Sequence, residues 1–101
     1  MAGGCRPGAA GGIGRGLQSG SGSERIRACI RAGETKDKRA LSLLVEQLED
    51  TSGDVRLFAI GALRRMTGQT LGYRYYAPAG ERATAVARWR KWLKARLAAD
   101  R

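Results

Sequence analysis

The sequence predicts an all-α protein. Apolar residues recur at i, i+3, i+4 and i+7 in several segments, and no run alternates with a period of two. Helix-stop residues follow the periodic segments, with Gly68 the clearest. The chain has 101 residues, which allows one small domain at most.

Nine of the 15 glycines fall in residues 1–22, and Ile13 and Leu17 are the only long aliphatic side chains there. Such a segment cannot offset its ordering entropy by burial, so residues 1–22 are expected to be a disordered tail. The expected domain is 23–100. Its first element, "SERIRACIRAG" (23–33), reads as a short helix capped by Ser23 and ended by Gly33, with Ile26, Cys29 and Ile30 on its buried face. "DKRALSLLVEQLED" (37–50) carries Leu41, Leu44, Val45 and Leu48 on one stripe and charges elsewhere. "TSG" is a turn.

Residues 54–67 form the next predicted helix, capped near Ser52 and stopped at Gly68. Val55, Ala59, Ala62, Leu63 and Met66 share one stripe, while Leu57 and Ile60 lie on nearly the opposite side. A helix that is apolar on two sides needs two neighbours. The Leu63 stripe can face helix 37–50 in a hairpin, and the Leu57/Ile60 side can face the next unit. "QTLGYRYYAPAG" (69–80) is a loop whose three tyrosines imply packing. The last helix, 81–99, carries Val86, Trp89, Leu93 and Leu97 on its apolar stripe, flanked by Trp92. Arg90, Lys91 and Lys94 lie opposite. It is the expected cover for Leu57 and Ile60. Inner helices of stacked hairpins meet this demand, so the architecture expected is a short α-solenoid with a C-terminal capping helix.

The net charge is +10, distributed as +2 over 1–22, 0 over 23–50, +3 over 51–80 and +5 over 81–101. The excess is C-terminal and permits an acidic partner. Arg88, Arg90, Lys91 and Lys94 are the candidate anion-binding set, for nucleic acid or an anionic membrane surface. The reading preferred for this helix is a cap, with its basic side solvated. There is no histidine, and Cys5 and Cys29 are the only cysteines, so neither a disulfide framework nor a zinc site is expected. Cys29 reads as a small core residue. No nucleophile has a base beside it, and "GGIGRG" (11–16) lacks the strand of a phosphate loop. No enzyme activity and no cofactor are expected.

No apolar run reaches transmembrane length. "MAGGC" before a Gly/Ser-rich stretch resembles the end of a bacterial lipoprotein signal, departing from it at Ala2 and lacking the hydrophobic portion. The resemblance implies lipidation of Cys5, and membrane anchoring, if a leader precedes Met1; otherwise the segment is a cytoplasmic tail.

Residues 37–68 resemble one HEAT repeat of the short bacterial, PBS-lyase HEAT-like type. Asp37, Arg39, Ala40, Leu41, Leu44, Val45, Glu46, Leu48 and Asp50 match its first helix; Val55, Arg56, Ala59, Ala62 and Leu63 match its second. "IRACIRAG" resembles a degenerate second helix of a preceding repeat, and residues 64–93 resemble a closing segment with Trp89, Trp92 and Leu93 as its packing residues. The resemblance implies that Arg56 bonds a turn aspartate, Asp50 or Asp54, and aligns successive hairpins. It also implies a non-catalytic scaffold that binds a protein partner. Only about one and a half repeats are legible, where solenoids usually need about three or more.

Overall fold

The computed structural model describes residues 9–99, so the candidate lipidation residue Cys5 lies outside the described residues. The described residues form five α-helices and no strand: α1 (Ala9–Leu17), α2 (Gly22–Thr35), α3 (Leu41–Gln47, entered through a 3₁₀ turn at Lys38–Ala40), α4 (Gly53–Thr67) and α5 (Ala79–Ala99).

The first helix corrects the expectation of a disordered segment over the described residues 9–22. Ile13 and Leu17, one helical turn apart, are both buried in the core. The glycines that lower the segment's helix propensity also let it approach closely: a Cβ on Gly16 would sit 2.8 Å from the Cβ of Ala28. Gln47 Nε2 donates to the Leu17 carbonyl at 2.8 Å and satisfies one of the orphan acceptors at the end of α1. Tertiary packing therefore overrides propensity here.

Ser21, not Ser23, caps α2 by accepting from the Glu24 N–H. The helix also runs past Gly33 to Thr35 and ends at Lys36, whose φ of 52° is left-handed. Gly33 serves packing rather than termination. A Cβ there would meet Ala62 at 3.2–3.3 Å, so its absence sets how closely α2 and α4 approach. The buried face of α2 is Ala28, Cys29, Ala32 and Gly33; Ile30 points outward. The aliphatic stripe expected from spacing is displaced because α2 has neighbours on two sides, α1 and α4, and small residues fill both contacts.

The Asp37 carboxylate caps the 3₁₀ turn through the Arg39 N–H, and Leu41, Leu44, Val45 and Leu48 are all buried. Ser52 and Gly68 cap α4 as its sequence implies, and Val55, Ala59, Ala62 and Leu63 are buried. In the loop that follows, buried Tyr73 donates its hydroxyl to the Leu48 carbonyl at 2.6 Å.

The helices pair as α1 with α2 and α3 with α4. The two pairs meet mainly through α2 on α4, with α1 also touching α3. The fifth helix packs on α3. Of the two residues it is expected to cover, Ile60 is buried but Leu57 remains exposed, so that side of α4 is only partly roofed. Four residue pairs 31 positions apart match in burial or capping role. Ile13 and Leu44, Leu17 and Leu48, and Ala28 and Ala59 are buried pairs, and Ser21 and Ser52 both cap the second helix of their pair.

Candidate interaction groove between α2 and α4

The same offset relates Arg25 and Arg56, each in the first turns of its helix. Arg56 does not pair with an aspartate carboxylate. Its Nη1 donates to the backbone carbonyls of Asp50 (2.8 Å) and Thr51 (3.2 Å), and its Nε to that of Tyr75 (3.0 Å). The Asp50 carboxylate is engaged by Arg25 instead, at 2.9 and 3.4 Å, and also accepts the Ser52 N–H. Arg25 Nη1 reaches the Ser19 carbonyl as well. The planar fork of one arginine thus joins the α1–α2 turn to the α3–α4 turn, and that of the other joins the α3–α4 turn to the tyrosine loop. Asp54 is exposed in the first turn of α4, where a carboxylate favours the helix N-terminus.

The Arg25 and Asp50 side chains are only 19% and 11% exposed. Asp50→Ala is therefore expected to cost about 3 kcal/mol, the lower end for a broken buried pair. The denaturation midpoint of the variant should change little between low and high salt. A cost below about 0.5 kcal/mol would assign the pair to the solvated class.

On α5, Trp89 is fully buried and its indole N–H donates to the Thr70 carbonyl at 2.8 Å. Trp92 meets it edge-on at 5.4 Å, and Leu93 is half-buried against the core. The candidate cations do not converge. Arg88 donates to the Leu71 carbonyl, Arg90 pairs with Glu49, and Lys91 and Lys94 are simply exposed.

Apolar exposure concentrates elsewhere. Among the described residues five large apolar side chains are exposed, and Ile30 (41%), Leu57 (38%) and Phe58 (38%) line one groove between α2 and α4. The groove holds about 370 Å³, with Gly33, Gly61 and Ala62 along it, Cys29 beneath and Arg65 the single charged lining residue. Sequence spacing missed this site because it assigned Leu57 to a covered face. The signal available was Leu57-Phe58 beside Gly61 on α4, two large apolar residues next to a bare helical position.

Burial pushes the Cys29 thiol up to about 12, with the Asp50 carboxylate adding to the shift and Arg25 opposing it. Tyr73 is shifted upward in the same way, chiefly by burial. In the unfolded chain the thiol loses its proton first, so stability is expected to fall as pH rises from about 9 towards 12. Cys29→Ala should flatten that decline in melting temperature; an unchanged slope would remove Cys29 as its source.

No three His, Cys, Asp or Glu side chains among the described residues are grouped to hold a metal ion, and no described helix is long and apolar enough to cross a membrane. Comparison with protein-family models, with curated proteins and with solved structures found no match.

Proposed function

We propose that this chain is a non-catalytic protein-interaction module, a short HEAT-like α-solenoid in which α1/α2 and α3/α4 are successive hairpins and α5 is the cap. The 31-residue equivalence of buried positions and the paired arginines Arg25 and Arg56 support the architecture. The observation that carries the function is the clustering of Ile30, Leu57 and Phe58 around one groove. Apolar side chains exposed together, rather than scattered, mark binding surfaces.

The test is affinity capture with purified protein, followed by reconstitution of any partner from purified components. The wild type should bind a defined protein in solution. Phe58→Asp should weaken that binding by at least about tenfold, a loss of about 1.4 kcal/mol. Replacing Arg90, Lys91 and Lys94 together by alanine should leave it intact. Nuclease-sensitive capture that the triple replacement abolishes would make the chain a nucleic-acid binder instead.

A further inference from the structure

We infer that the α2–α4 groove accepts an α-helix with an acidic flank from a partner protein, and that Gly61 and Arg65 select it; the inference rests on the interaction reading above. Gly61 lies in the interior of α4, where glycine is less favourable than alanine. Internal packing does not require it: a Cβ at Gly61 would meet nothing within 4 Å, whereas one at Gly33 would press on Ala62. The space above Gly61 is open in this chain, and the residue lines the groove between Ile30 on one helix and Leu57 and Phe58 on the other. A bare backbone position flanked by apolar side chains lets a partner element approach closely, and an amphipathic helix inserts its apolar face into such grooves.

Charge separates the occupants. Arg65 is exposed, is in none of the ion pairs among the described residues, and has no carboxylate beside it in the groove lining. The Arg65 side chain passes close to Gly33, with its Cδ 3.7 Å from a Cβ placed there. Arg64 is exposed in the same turn. A second copy of this chain would bring another +10 and set basic residues against basic residues. A helix bearing Asp or Glu beside its apolar stripe meets both features, and like-charged partners are rejected by the same residues.

The experiment uses the full chain and a synthetic helical peptide of about 18 residues, five turns, with leucines at i, i+3, i+4 and i+7 and glutamates on the flanks. A matched peptide carries lysines in place of the glutamates. Fluorescence anisotropy should show binding of the acidic peptide and at least about tenfold weaker binding of the lysine peptide. Gly61→Leu should abolish binding while leaving the circular dichroism spectrum intact and the melting temperature no lower than that of the wild type. Gly61→Ala should raise the melting temperature by about 4 °C and still weaken binding. Arg65→Glu should invert the preference between peptides. Equal binding of both peptides, or no effect of Gly61→Leu, would overturn the inference. So would a dimer in analytical ultracentrifugation that Gly61→Leu dissociates. If a reconstituted partner binds through Phe58 but the acidic peptide does not bind, the occupant fails while the interaction reading stands.

Discussion

Trp89→Ala is expected to lower the free energy of unfolding by about 3–5 kcal/mol, the range for a large aromatic removed from a core. Trp89 is the largest fully buried side chain described, and α5 adds only Ala85 and Val86 as other buried residues. Its indole N–H satisfies the Thr70 carbonyl, so truncation opens a cavity and leaves an acceptor without its partner. The edge-on contact with Trp92 goes as well. A domain this size has little stability to lose, and the variant should be partly unfolded near 37 °C. Urea denaturation followed by circular dichroism measures it. Trp89→Phe should fall between, keeping most of the buried area and losing the hydrogen bond. Alanine at Arg90, Lys91 and Lys94 together should change stability little, because the Arg90–Glu49 pair is about half exposed and the lysines face water. A loss below about 1 kcal/mol for Trp89→Ala would mean that α5 is an appendage, not a cap.

Deleting residues 1–20 is expected to leave the remainder largely unfolded or self-associated. The deletion removes Ile13 and Leu17, both buried, and uncovers the Ala28 side of α2. It strips Gln47 of its bond to the Leu17 carbonyl and Arg25 of its bond to the Ser19 carbonyl. Leu17→Ala alone should cost about 2–5 kcal/mol. The two variants form a graded series, read by melting temperature and sedimentation. A truncated chain that melts like the full one would restore the view of this segment as a dispensable tail.

Much of the helical layout was legible from residue order. Leu41, Leu44, Val45 and Leu48 announced α3, and the Ser52 and Gly68 caps bounded α4, because period and capping are local properties. The burial of Trp89 was legible too; the neighbour it packs on was not. Composition misread α1, since glycine lowers intrinsic helix stability whether or not a partner helix is waiting. Only the packing of Gly16 on Ala28 distinguishes a contact glycine from a flexible one. A comparison at an offset of 31 residues sets Ile13 and Leu17 against Leu44 and Leu48, and all four are buried.

The HEAT resemblance implies a bond from Arg56 to a turn aspartate, whereas its acceptors are the backbone carbonyls of Asp50, Thr51 and Tyr75. The Asp50 carboxylate lies within reach of Arg25, a partner 25 positions away that no local spacing specifies. The groove belongs wholly to tertiary structure. Ile30, Leu57 and Phe58 are apolar in any reading, and the sequence alone determines that they must be covered or exposed. Which of the two holds depends on where α5 docks. It docks on α3, and the α2–α4 face stays open.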